Sequence, residues 1–441
     1  MSDPGDGVKT PTSGAFGAGS RPESSLRPET GKRGFSGNGS QGNDPAAKES
    51  RDAPQRKRKK RKRRQRRKVY ARDNRNISPA ETPSVPDEKR PILLDRPAQV
   101  FPRPARSWGP VYAALDLGTN NCRLLVAVPT RPGQFRVIDA FSRIVRLGEG
   151  LSATGRLSDE AMERALDALQ VCADKLGTRT IARSRLIATE ACRSAGNGAH
   201  FIRRVEAETG LTLEIIDRET EARLAVSGCG SLVERSTDAV VLFDIGGGSS
   251  EIALIDVSRR RSHRLANHII SWTSLPVGVV SLAERFGGRH VTREVFETMV
   301  SDVSGHLMAF EGRHGLAHLA SGPRFHLLGT SGTVTTLAGI HLGLERYDRR
   351  RVDGLWMDAA HVDRMIETLL SWKFEERVAN PCIGADRADL VLAGCAILQA
   401  IREIWPSERL RVADRGLREG ILSELMLSDG AWRRPHPGRS S

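Results

Sequence analysis

Two short segments of this chain share one design. Leu115-Asp-Leu-Gly-Thr-Asn joins two apolar runs, and Phe243-Asp-Ile-Gly-Gly-Gly-Ser does the same roughly 130 residues later. Each reads as a strand ending in Asp, a tight glycine turn and a second strand. Without a Cβ in the way, successive backbone N–H groups of such a turn converge on one point, and that concavity binds phosphate oxygens. The preceding Asp stands at the phosphate edge, where it can hold Mg²⁺ directly or through water. One such turn alone is an ordinary hairpin. Two copies imply duplicated subdomains facing one cleft.

The stretches around the two turns alternate strands and helices. Strands are expected at Phe135–Leu147, Arg185–Ala188, Leu213–Ile216, Ala239–Asp244 and Ser250–Asp256. Helical spacing of apolar residues predicts a helix over Ser158–Leu176, and two more over Gly198–Thr209 and Thr220–Cys229. The alternation makes the body an α/β protein. Its lobes are expected at residues 111–235 and 236–425, with the last helix free to return to the first lobe. A short disordered tail, 426–441, should follow.

Charge sets the N-terminal portion apart. Residues 1–110 carry +14 of the chain's net +15, so a nearly neutral body follows a basic arm. The arm is rich in Gly, Pro, Ser, Arg and Lys, and cannot bury enough apolar surface to order itself. Pro79–Pro110 reads as a linker. Within the arm, Arg56–Lys68 has twelve basic residues in thirteen. It is either a solvated tail or a tether for a polyanion such as RNA, DNA or polyphosphate. No apolar run is long enough to span a membrane, and the first residues lack the apolar core of a secretory signal. The six cysteines show no metal-ligand spacing and read as free thiols of a cytoplasmic protein.

A third glycine turn, Leu327-Leu-Gly-Thr-Ser-Gly-Thr-Val, sits between a strand and an apolar helical stretch. Small hydroxyl residues at a helix N-terminus form a ready anion site. Taken together, the three turns resemble the acetate and sugar kinase/heat-shock 70/actin superfamily. More closely, the chain resembles the exopolyphosphatase/guanosine pentaphosphate phosphatase (Ppx/GppA) family in its short two-domain form. Seven blocks carry that resemblance in order: AALDLGTNNCRLLVA, ATEACRSAGN, DRETEARLAVSG, VLFDIGGGSSEIAL, LPVGVVSLAERF, LLGTSGTVTTLA and RLRVADRGLREGIL.

The resemblance implies two related actin-like (ribonuclease H-like) lobes with a cleft between them. It assigns the general base to Glu221, which would orient a water at a terminal phosphorus and take its proton. Asp244, Glu251 and Asp116 would hold Mg²⁺, though Glu251 could instead position water and Asp116 could simply close its turn. Arg193 would grip phosphate, or else form a structural salt bridge. The phosphate cradle maps to Gly118, Thr119, Asn120 and Asn121, to Gly246, Gly247, Gly248 and Ser249, and to Gly329, Thr330, Ser331 and Gly332. Asn121 stands where the family usually has Ser; it still offers a donor, but its larger side chain bears on the shape of the first loop. Asn197 is expected to fix its own loop.

The expected activity is exopolyphosphatase, releasing terminal phosphate from inorganic polyphosphate. Its rival is guanosine pentaphosphate 5′-phosphatase of the stringent response, and the same loops would serve guanosine tetraphosphate. A non-hydrolytic alarmone sensor would have no need of Glu221. The resemblance also implies a homodimer.

Overall fold

Both glycine turns are the tips of β-hairpins, and each hairpin sits in a sheet of its own. The computed structural model describes residues 109–432 apart from His263 and Ser321. The basic segment Arg56–Lys68 therefore lies outside the described residues, as does most of the Pro79–Pro110 stretch.

The first sheet contains β1 (Val111–Leu117), β2 (Asn121–Pro129), β3 (Phe135–Ile144), β4 (Ile181–Ala188) and β5 (Glu214–Ile215), in the order β3-β2-β1-β4-β5. β1, β2 and β3 are antiparallel neighbours, and β4 runs parallel to β1. The second sheet contains β6 (Ala239–Ile245), β7 (Ser250–Asp256), β8 (Ile269–Leu275), β9 (Phe325–Thr330), β10 (Trp356–Asp358) and β11 (Arg409–Ala413), in the order β10-β11-β9-β6-β7-β8. It repeats the plan: β6, β7 and β8 are antiparallel, and β9 runs parallel to β6. Register places the same position of each hairpin alike. Asp116 faces Arg123 across β1 and β2, and Asp244 faces Glu251 across β6 and β7.

Alternation along the strands divides each sheet between two cores. Ala113, Leu115 and Leu117 of β1 join the helices Asp159–Gly177 and Gly198–Thr209, while Tyr112 and Ala114 join Leu417, Ile421, Leu422 and Leu425. In the second sheet, Val241 and Phe243 face a core with Val391–Ile404, and Val240 and Leu242 face Ala225, Val226 and Cys229. The helix Leu417–Ser428 thus covers the first sheet although it follows the second. It runs past residue 425, where order was expected to end, and Trp432 Nε1 still donates to Gln134 O at 3.0 Å.

Two helices lie back to back between the sheets, Arg218–Cys229 and Leu417–Ser428. Their approach is close enough that a Cβ on Gly228 would collide with the Gly416 carbonyl, and one on Gly420 with the Leu224 carbonyl. The pair brings two block motifs, DRETEARLAVSG and RLRVADRGLREGIL, to the same end of the molecule. Among the described residues no helix is long and apolar enough to cross a membrane, and all six cysteines are buried and unbridged.

Candidate active site

The hairpin tips meet in a cleft between the two sheets, a cavity of ≈ 640 Å³. The turns are equivalent: Gly118 N donates to Asn121 O, and Gly246 N to Ser249 O, each at 2.9 Å. The third turn is held differently. Ser331 adopts φ 80°, a left-handed value that is uncommon for a residue with a Cβ, and its hydroxyl donates to Ile245 O. That bend aims the first amides of the helix Gly332–His341 at the same cavity.

Every cradle residue expected from the sequence lines this cavity except Gly329. Gly329 lies inside β9, where a Cβ would come within 2.6 Å of the Phe243 ring. It packs against Phe243 and Val334 and does not line the cavity. The side-chain Oδ1 atoms of Asn120 and Asn121 are buried without a hydrogen-bond partner, so the first loop keeps acceptors in reserve. Asn197 does fix its loop: it exchanges two hydrogen bonds with the backbone of Leu157, each 2.9 Å.

The acids separate by environment. Burial, with help from Glu251 and Asp116, pushes the Asp244 carboxyl up to about 7. Burial also raises Asp116, against the pull of Arg123 and Arg418. Glu251 is spent differently: its Oε1 accepts from Ser249 Oγ at 2.7 Å and Ser274 Oγ at 2.8 Å. Among the described residues no three His, Cys, Asp or Glu side chains form a metal cage. Asp116, Asp244 and Glu251 nevertheless all line the one cavity.

Glu221 occupies the first turn of the helix Arg218–Cys229, whose N-cap Asp217 accepts from Thr220 N at 2.7 Å. Burial and then the Glu251 charge hold its pKa well above the usual carboxylate range, with Arg193 pulling the other way. Arg193 does not line the cavity. Its Nη2 donates to Glu221 Oε2 at 3.0 Å and Glu190 Oε2 at 2.6 Å, and its Nη1 to Ile216 O at 2.6 Å. In this structure the Arg193 guanidinium, read from the sequence as a phosphate grip or a structural salt bridge, is engaged by two carboxylates and a carbonyl, one of the carboxylates being Glu221. Burial pushes Glu190 up, but hydrogen bonds from Arg218, Ser194 and Arg193 outweigh it, leaving that carboxylate ionised.

Four arginines do line the cavity: Arg123, Arg387, Arg415 and Arg418. None was singled out from the sequence. Arg415 is occupied by an ion pair with Asp353. Signals were available for two of the others, Arg123 and Arg418. Arg123 interrupts an apolar strand two residues after Asn121, which puts both on one face. Arg418 is a cation in the first turn of its helix, where the helix dipole opposes it. Tyr347, Pro381, Ile383 and Val391 add an apolar wall.

Comparison with known proteins addresses this constellation. The family model described as the Ppx/GppA phosphatase family matches residues 126–429. The chain belongs to the Ppx/GppA phosphatase family. A curated relative, guanosine-5′-triphosphate,3′-diphosphate pyrophosphatase of Photobacterium profundum, is 28% identical over 321 residues, covering 72% of this chain. The chain spans 59% of that relative's length. A solved Ppx/GppA family member of Aquifex aeolicus is 28% identical with TM-score 0.58, over 73% of this chain and 98% of that one. An exopolyphosphatase-like protein aligns at 26% identity and TM-score 0.63, over 73% and 99%. An exopolyphosphatase from Cytophaga hutchinsonii ATCC 33406 shares the fold at 24% identity and TM-score 0.64, over 73% and 98%. The α/β architecture with two related actin-like lobes is thus that of the Ppx/GppA family.

Proposed function

We propose that this Ppx/GppA phosphatase family member hydrolyses the terminal phosphoanhydride of inorganic polyphosphate. One observation carries the reading: Glu221, half-buried and held by Arg193, lines a cavity ringed by three backbone phosphate cradles. A water between Glu221 and the terminal phosphorus attacks in line. The water oxygen forms the new P–O bond, Glu221 takes the proton, and the bridging P–O bond breaks to release the shortened chain. Arg123 and Arg418 stand where negative charge accumulates, and the amides of the three turns share it.

Asp116 and Asp244 fit a hard cation. Both face the cavity without a direct ion pair, and burial together with the Glu251 and Asp116 charges raises Asp244. Unpartnered oxygens on Asn120 and Asn121, in the loop that follows Asp116, would add oxygen donors. Bound there, Mg²⁺ would neutralise charge on the phosphates while keeping most of its waters.

A second reading is guanosine pentaphosphate 5′-phosphatase. The apolar wall of Tyr347, Pro381, Ile383 and Val391 favours it, since a nucleoside would use that wall and a bare phosphate chain would not. For the polymer, Arg56–Lys68 would supply further binding in cis. Phosphate release with Mg²⁺ from long-chain polyphosphate and from guanosine pentaphosphate, side by side, separates the two. Release from the nucleotide alone would overturn the exopolyphosphatase reading.

A further inference from the structure

The segment 145–152 binds the first phosphate cradle and reaches across the cleft to elements that flank the second. On its own side it hangs from the first turn: Val145 N and Arg146 N donate to Asn120 O at 2.9 and 3.1 Å, and Gly148 N to Thr119 O at 2.9 Å. Across the cleft it makes two contacts. Arg146 is bidentate on Asp389, Nη1 to Oδ2 and Nη2 to Oδ1, both 3.0 Å, and Nη2 also donates to Asp386 O at 3.0 Å. Glu284 accepts from Gly150 N at 2.8 Å and from the Ser152 hydroxyl.

The far side of each contact is anchored. Asp389 adjoins Ala388, whose carbonyl accepts from the buried Arg377, and Arg377 also holds Gly288 O and Arg289 O. Glu284 lies in the helix Val279–Phe286, which begins on the second turn: Val279 N donates to Gly246 O at 2.9 Å and Val280 N to Gly247 O at 2.8 Å. The two turns then meet directly, since a Cβ on Gly247 would lie 2.8 Å from Thr119 Cβ.

Arg146 itself has φ 46°, a left-handed value shared among the described non-glycine residues only with Ser331 of the third turn. Such a conformation persists where the surroundings over-determine it. Here they are the Asn120 carbonyl on one side and Asp389 on the other.

We propose that Arg146 is a positioning residue. Through Asp389, and with Glu284 as a second hook, it clasps the two lobes so that the first phosphate turn is held in register against the second. The clasp keeps the closed, binding-competent arrangement populated before substrate arrives. Only the kinetic part of this inference rests on the phosphoanhydride-hydrolase reading.

The test uses the full chain carrying Asp167→Cys and Glu297→Cys, exposed positions on the helices Asp159–Gly177 and Arg293–Met308. The six native thiols are buried, so spin labels go to the two new ones. Electron–electron double resonance then reads the interlobe distance without substrate. Arg146→Glu and Asp389→Arg should each lengthen and broaden it. Each should also raise KM for polyphosphate about tenfold while kcat stays within about twofold, because substrate binding must then supply the closure. The double exchange Arg146→Glu/Asp389→Arg should bring both readouts back toward wild type. A single variant with the wild-type distance distribution, or a double variant that sums the two defects, overturns the clasp. Should a charge reversal fail to fold, Arg146→Gln and Asp389→Asn take its place with the same expected broadening, and an unchanged distance overturns the proposal equally. If no substrate yields phosphate, the hydrolase reading falls and the distances alone decide the clasp.

Discussion

Arg193 donates to Glu221 across 3.0 Å, and that bond joins two blocks of sequence into one working unit. The arginine is also bound to Glu190 and to the Ile216 carbonyl, so its plane is immobilised from three sides. A carboxylate meant to take a proton needs a raised pKa and one fixed orientation. Burial beside Glu251 supplies the first, and Arg193 supplies the second while moderating the rise.

Replacing the base tests this directly. Glu221→Gln keeps the shape and removes the proton acceptor. Turnover should fall about 10²- to 10⁴-fold, with polyphosphate binding by calorimetry nearly intact. An equal loss of both would remove Glu221 from the role.

Arg193→Met makes a different prediction. With its cation gone, Glu221 should be raised further, and the acidic limb of the kcat/KM profile should move to higher pH. A residue that gripped substrate would instead raise KM without moving the limb.

Asp244 predicts a stability effect with a definite sign. Its folded pKa of about 7 lies above the unfolded value of 3.8, so the folded state holds that proton more tightly. The resulting stabilisation is present below pH 3.8 and is lost as pH rises through 7. Asp244→Asn should therefore have about the wild-type Tm near pH 4 and a higher Tm at about pH 8. Mg²⁺ should raise Tm at that higher pH in the wild type and do so far less in the variant.

The glycine contact between the two central helices should be intolerant of a methyl group. Gly420→Ala forces the helix Leu417–Ser428 away from the Leu224 carbonyl. A loss of about 1–3 kcal/mol by urea unfolding is expected. A substitution at the half-buried Glu424, paired with exposed Arg223, should lose no more than about 1 kcal/mol.

Deleting residues 1–105 removes the polybasic segment and spares the body. Affinity for long polyphosphate chains should fall, and its salt dependence should flatten, while short substrates are unaffected. Equal behaviour of both proteins would leave Arg56–Lys68 without a part in substrate binding.

The parts of this protein that were legible in its sequence are the short-range ones. Glycine turns between apolar runs specify the hairpins, because only local backbone geometry is involved. Asp217 and the apolar spacing behind it start the helix that carries Glu221. Likewise, Asp116 and Asp244 stand at strand ends whichever way the lobes pack. What only the tertiary structure decided is the partner of each long charged side chain and the space around each glycine. Arg193 has the chemistry of a phosphate ligand, yet packing surrounds it with two carboxylates and a carbonyl. Gly329 sits in a phosphate-loop motif, yet the Phe243 ring occupies its face. Arg123 and Arg418 reach the cavity because β2 and the last helix converge on it, and Arg146 meets Asp389 across 243 positions of chain. A turn is specified by its own residues, whereas the partner of an arginine depends on everything that the fold brings within a few ångströms.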